Sequence, residues 1–316
     1  MANAKEIQNR IKSIKDTMKI TKAMYMMSSM KLRKARQKLE NTEPYFYGLQ
    51  EQISDILCHF PDMQHLYFDN RGKDLQETVK KKVFIVMTGD KGMAGAYNHN
   101  VIKEAQRLAD ESDIYSLFVV GELGRHYFIS QGYPVDRSFV FSANNPSIHR
   151  ARVMTEYIVD LYNKEEIDEV YVIYTKMVNS MKEELAIEQL LPLKTHEFIK
   201  QELVMKVRQG DGNYDREALE KADDWCLIYP SPLQVIEKLV YNYVTGFLYG
   251  AMVESSASEE NARMLAMQSA TDNAQEMLRE LSVEFNRVRQ AAITQEITEV
   301  IGGAKALKKK KKKQIK

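Results

Sequence analysis

The sequence predicts an α/β fold: a central, mainly parallel sheet domain with a long antiparallel coiled coil formed by the helices at the two ends of the 316-residue chain. A heptad seam at the start, a second seam at the end, and β-rich runs alternating with helical stretches between them point to it. At the start, steps of four and three from Ile7 land on Ile11, Ile14, Met18, Thr21, Tyr25, Ser28, Leu32, Ala35, Leu39, Thr42, Phe46, Leu49, Ile53 and Ile56. A 3.5-residue repeat keeps one stripe against a partner helix over many turns. Its middle is small (Thr21, Ser28, Ala35, Thr42), which suits a close neighbour. Pro44 is expected to kink or end the helix, because its ring clashes with the preceding turn.

The C-terminal helix begins after Pro232. Its seam reads Ala257, Met264, Met267, Thr271, Ala274, Leu278, Leu281, Phe285, Val288 and Ala292, and Gly302-Gly303 is the expected stop. Residues 233–301 as helix would be roughly 100 Å long, more than a compact domain of this size holds. The expected solution is an antiparallel hairpin with the N-terminal helix, protruding from a globule. In the globule, strands are expected at 83–87, 114–120, 139–141 and 170–174, alternating with helices near 98–110, 123–130 and 147–164, with a further edge strand at 185–193. That order implies right-handed βαβ crossovers and a Rossmann-like sheet covered on both faces. Residues 61–79 read as a linker.

Composition narrows the function classes. The chain is 44% hydrophobic and 28% charged, ordinary for a soluble protein. Its longest uncharged stretch, 239–253, is 15 residues and includes Asn242, Thr245 and two glycines. That is short of the roughly 20 apolar residues of a membrane span. Residues 1–10 carry charges where a signal peptide is apolar. Cys58 and Cys226 are too few for a disulfide framework. The formal net charge of +1 conceals a polarity: eleven of the first forty residues are Lys or Arg against three acids, whereas residues 233–304 hold ten acids against five bases. The two ends are electrostatically complementary.

Catalytic chemistry is nearly absent. Gly89-Asp90-Lys91-Gly92-Met93-Ala94-Gly95 follows the first strand of the globule, where an α/β fold cradles phosphate. It fits neither the P-loop nor the G-x-G-x-x-G spacing, and a tight turn without a ligand is the preferred reading. The six histidines form no H-x-H or H-E-x-x-H, Cys58-His59 with His65 lacks a fourth ligand, and no G-x-S-x-G occurs. No enzyme activity, cofactor or metal is therefore expected of this chain.

Surface chemistry on the N-terminal helix is more informative. Met18, Met24, Met26, Met27 and Met30 lie within 13 residues, and only Met18 is on the seam. Periodicity alone favours a wide helix interface. The alternative is a sheath of other subunits, against which thioethers repack easily. The neighbouring Lys15, Lys19, Lys22, Lys31, Arg33 and Lys34 read as a solvated face or as steering for an acidic partner. Nucleic acid is not expected: the second helix brings acids alongside, no binding motif appears, and the lysines at 308–313 read as a solvated extension.

Residues 11–34 and 258–304 closely resemble the terminal helices of the gamma subunit of F-type ATP synthases. The specific motifs are K-I-T-K-A-M at 19–24, A-T-D-N-A at 270–274 and I-T-Q-E-I-T-E at 293–299, and the turn at 89–98 is similar as well. The resemblance implies a non-catalytic rotor shaft, one copy per complex. Its helices would stand inside a ring of alpha and beta subunits while the globule rests with epsilon on the membrane ring of c subunits. Proton flow would turn ring and shaft, driving ATP synthesis at the beta sites. By position, Lys19, Lys22 and Met24 resemble the stretch that meets the acidic lever of beta, and Arg289, Gln290, Thr294 and Glu296 resemble the polar catch on the catalytic ring. Without the resemblance those four would read as an exposed helix face. The implied organisation is a coiled-coil helix at 1–58, a linker at 59–79, the α/β domain at 80–200, a connecting loop and foot at 201–232, the second coiled-coil helix at 233–304 and a lysine-rich tail at 305–316.

The chain departs from the family pattern in three places. Pro230 and Ser231 stand where some members carry a carboxylate, so no acidic foot contact is expected there. The six-lysine run extends past the usual end of the shaft. The cysteine-bearing insertion of chloroplast members has no counterpart, so thiol control is not expected and the cytoplasmic face of a bacterial membrane is the expected location. Two other readings remain: a nucleotide-using enzyme built on the globule, and a free-standing coiled-coil adaptor.

Overall fold

The structure is a computed structural model that describes residues 4–60, 63, 65–68, 80–177, 179, 183–194, 198 and 228–314, with side chains of the last helix described through residue 305. The expected linker from 69 to 79, the connecting segment 201–227 with Cys226, and the side chains of lysines 308–313 lie outside the described residues. The elements are α1 (Ala4–His59), β1 (Lys81–Met87), α2 (Tyr97–Asp110), β2 (Ile114–Val120), α3 (Glu122–Ser130), α4 (Ile148–Asn163), β3 (Glu169–Met177), β4 (Glu183–Leu191) and α5 (Pro232–Gln314). The chain divides into two compact units, residues 28–263 and residues 1–27 with 264–316.

In the unit 28–263 the sheet order is β2-β1-β3-β4. β1 pairs parallel with β2 and β3, and β4 closes the edge antiparallel to β3. Alternation sends Val83, Ile85 and Met87 to one face and Phe84 and Val86 to the other, and both sets are buried. The first face packs on Ile53, Ile56 and Leu57 of α1, Met154 and Ile158 of α4, and Ile236, Val240, Val244 and Leu248 of α5. The second packs on Val101 and Ala105 of α2 and Phe128 of α3. A sheet buried on both faces needs near-continuous apolar strands, and K-K-V-F-I-V-M and I-Y-S-L-F-V-V supply them.

Helices α1 and α5 run antiparallel, as Lys31–Glu260 and the Phe46–Tyr243 stack with ring centroids 5.0 Å apart show within this unit. α5 starts with Pro232 at its first turn, where a missing N–H costs nothing, and the Ser231 hydroxyl accepts from Gln234 N at 3.4 Å. In the unit 1–27 with 264–316, Ile7, Met267, Thr271 and Ala274 are buried, and the Thr21 and Thr271 hydroxyls meet at 2.9 Å. Every seam position of α1 is buried or half-buried, as is every one of α5 through Val288; Ala292 is exposed.

Several details differ from expectation. α1 passes through Pro44, which is exposed and removes only one hydrogen-bond donor from a helix anchored on both sides. Gly302-Gly303 does not stop α5: neither glycine takes the left-handed conformation of a helix terminus, and the helix reaches Gln314. Residues 139–141 are not a strand. The segment follows the outer edge of β2 through single bridges, Leu117 to Val135 and Val120 to Phe141, and its burial comes from rings, with Phe139 4.8 Å from Phe118.

The glycine-bearing turn after β1 is an internal joint. The Asp90 carboxylate accepts hydrogen bonds from Glu122 N at the start of α3, from Ala143 N and Asn144 N, from Ser142 Oγ at 2.6 Å and from Asn144 Nδ2 at 2.7 Å. It occupies the position an anionic ligand would take at that helix N-terminus. Burial pushes the Asp90 carboxyl up, but these donors outweigh it and hold it below the ordinary carboxylate value. At the other side of the joint Gly121 has φ +95°, and a Cβ there would lie 2.3 Å from the Thr88 carbonyl oxygen.

Gly121→Ala therefore combines a disfavoured backbone with a collision against main chain, and should cost about 3 kcal/mol or more in denaturant titration. Asp90→Ala should cost about 2 kcal/mol, the scale of losing charge-assisted hydrogen bonds. Because the folded carboxyl lies below its unfolded value of 3.8, that contribution is present above pH 3.8 and disappears as pH falls through the depressed value. Acid titration of the wild type against Asp90→Ala should show the two stabilities converging at the acid end.

Candidate functional site

A bare stretch of α5 is the most distinctive surface. From Arg289 through Lys305 every residue is exposed. In the register set by Thr21 against Thr271, α1 begins opposite about residue 288, so the last turns of α5 have no α1 beside them. On a helix advancing about 100° per residue, Ile293, Ile297, Val300 and Ile301 fall on one side, flanked by Arg289 and Glu296 on one border and Thr294 on the other, with Gln290 in line with the stripe at its start. The four apolar residues are 49%, 54%, 72% and 49% exposed. The Thr294 hydroxyl donates to Gln290 O at 2.8 Å, which leaves its oxygen as an acceptor. An apolar centre with charged and amide borders is the layout of a protein contact surface. Sequence reasoning selected its polar members and missed the apolar stripe between them, although the spacing 293, 297, 300, 301 was there to be read.

On α1, Lys19 and Lys22 are exposed, and Lys19 Nζ pairs with Asp16 Oδ1 at 3.0 Å. That pairing holds the Asp16 carboxyl below its ordinary value. Met24 is half-buried beside the seam. The apolar side chains that face solvent are instead Ile20, Met26, Met27 and Met30, each more than half exposed. The methionine cluster was legible, but which member turns inward depends on packing that periodicity does not resolve.

An ionic chain, buried on α5 and ending at the exposed Lys31 of α1, ties the two helices in the unit 28–263. Lys31 Nζ reaches Glu260 Oε1 at 2.9 Å, Arg263 Nη1 reaches the same oxygen at 2.9 Å, and Arg263 Nη2 pairs closely with Glu259. Glu259 in turn covers Gly89: a Cβ on that glycine would meet its Oε1 at 2.6 Å. Burial pushes both glutamates up; for Glu260 the hydrogen bonds of Lys31 and Ser28, with Arg263, outweigh it and lower the carboxyl, while Glu259 stays raised. Removing one partner of such a set leaves an uncompensated buried charge, so these residues act as internal locks.

The described residues contain no group of three or more metal-ligating side chains and no helix long and apolar enough to cross a membrane. The chain matches the family model "ATP synthase" over residues 3–307. It is 43% identical over 309 residues to the ATP synthase gamma chain of Acetivibrio thermocellus, covering 98% of this chain and 100% of that one. It is 37% identical over 306 residues to the gamma chain of Acetobacterium woodii, named as sodium ion specific, covering 96% and 99%. Among solved structures, a chain of the central stalk and c-ring of Tetrahymena thermophila mitochondrial ATP synthase superposes with a TM-score of 0.57 at 20% identity, covering 79% of this chain and 99% of that one, a likeness of fold. With the whole length of bacterial gamma chains matched above the level at which a family is shared, and a fold of two long helices against a mixed sheet, the chain belongs to the ATP synthase gamma chain family.

Proposed function

We propose that this gamma chain works as the rotor shaft by presenting different faces of α5 and α1 to a surrounding ring of alpha and beta subunits. The observation that carries the reading is the bare face of α5 after Val288, apolar in the middle and polar at both borders. Arg289, Gln290, Thr294 and Glu296 then act as a catch for loops of the ring, where charge-assisted bonds add orientation to attraction. Lys19, Lys22 and the neighbourhood of Met24, above all the exposed Ile20, Met26, Met27 and Met30, are the surface offered to the acidic lever of beta. A shaft of this kind acts by unequal affinity: each orientation favours one beta conformation over the others, and only that difference shifts an equilibrium.

The domain plan proposed with this reading is a coiled coil of 1–58 with 233–304, joined to the α/β domain of 80–200 by 59–79 and 201–232, and ending in the tail 305–316. The α/β domain would rest with epsilon on the c ring at the cytoplasmic face of a bacterial membrane, peripheral to it. The proton is the proposed driving ion, while membership of the family alone does not separate proton from sodium members. Affinity capture of the chain from native membranes should bring alpha, beta, epsilon and c subunits together; recovery of the chain as a homodimer without them would end the proposal.

Arg289→Ala and Glu296→Ala should each lower coupled ATP turnover about tenfold, the scale of one charge-assisted hydrogen bond, with subunit composition unchanged. Unaltered turnover in both variants removes the catch from the account.

A further inference from the structure

A small cavity lies between α5 and the turn that leads from β1 into α2, within the unit 28–263. Its walls include Met87 and Thr88 at the end of β1, Tyr97 at the start of α2, and Met252, Ser255 and Glu259 of α5. Its volume, about 10 Å³, is close to the least that holds one water molecule. The polar groups around it are under-used. Ser255 is 6% exposed, and its Oγ is shut off from solvent and makes no hydrogen bond. Other hydroxyls of α5 do not stand idle: Thr245, Thr271 and Ser282 each donate to the carbonyl four residues earlier, and Ser258 donates to Thr175 O at 3.1 Å. The buried Tyr97 hydroxyl donates to Met87 O at 3.4 Å, long for such a donor. On Glu259 it is Oε1 that pairs closely with Arg263.

We propose that this cavity binds one water molecule, which accepts from Ser255 Oγ and donates to Tyr97 Oη and to the Glu259 carboxylate, so that α5 is joined to the start of α2 through it. Ser255 and Glu259 lie one turn apart on α5, and the two side chains point to the same side of the helix. Tyr97 can donate to Met87 O and still accept, because a phenol oxygen does both. Three partners are the usual number for a buried water. A wholly apolar cavity stays dry, whereas two hydroxyls and a carboxylate offset the entropy lost in holding the molecule. The acidity of the phenol agrees with this polar rim: burial, with Glu259, pushes Tyr97 up, and Ser255 opposes them. The inference rests on the packing of this chain and is independent of its role as a shaft.

The test joins a structure of the full-length chain, at a resolution that shows ordered water, to denaturant titration of the wild type and Ser255→Ala. A density peak within hydrogen-bond distance of Ser255 Oγ, Tyr97 Oη and the Glu259 carboxylate is expected in the wild type. Ser255→Ala should raise the ratio of unfolded to folded chain about fivefold, the scale of one neutral hydrogen bond. An idle hydroxyl predicts otherwise, because removing a buried donor that has no acceptor leaves stability unchanged or higher. No peak in the wild type, a Ser255 hydroxyl seated directly on Tyr97, or a ratio that does not rise in Ser255→Ala overturns the proposal.

Discussion

The antiparallel burial of α1 against α5 is the constraint on which the rest of the structure depends. α5 is one element with three kinds of surface: an apolar start packed on the sheet, a middle whose seam meets α1, and an end that no other described residue covers. Each large side chain in the packed portions contributes about 1.5–3 kcal/mol by leaving water. The uncovered end gains nothing of the kind within the chain. A helix that persists past its last internal contact with isoleucines facing solvent makes sense when another molecule supplies the missing surface.

The partnered polar residues serve the same constraint. Asp90 accepts at the N-terminus of α3, Glu259 covers Gly89, and Arg263 and Lys31 meet at Glu260. In an enzyme, groups with perturbed acidity line a cleft and wait for substrate. Here they are spent on one another, joining a strand-to-helix turn to two helices, and the result is a domain whose chemistry is directed inward. Function is left to the exposed faces.

Much of this was legible from the residues alone. The heptad positions of α1 all proved buried or half-buried, because a repeat over many turns admits one solution, and the alternation of β1, α2 and β2 left little freedom of topology. The failures have local causes. Residues 139–141 look like a strand because Phe, Val and Phe suit one, but a sheet edge and three packed rings satisfy the same residues without a ladder. Gly302-Gly303 looks like a stop because glycine permits a left-handed terminus, yet permission is not a requirement, and the residues after it favour helix. In the surface, Arg289 and Glu296 stood out through resemblance, whereas Ile293, Ile297, Val300 and Ile301 stood in plain helical spacing beyond the end of the traced seam at Ala292.

The account holds that α1 and α5 turn as one body and do no chemistry. A disulfide across the hairpin examines this most directly: Thr21→Cys with Thr271→Cys, whose native hydroxyls lie 2.9 Å apart, in a chain with Cys58 and Cys226 replaced by serine. Coupled ATP turnover of the assembled complex should be the same with the bond closed as with it reduced. Turnover lost on oxidation and regained on reduction would show that the two helices must slide past each other, and would contradict the account.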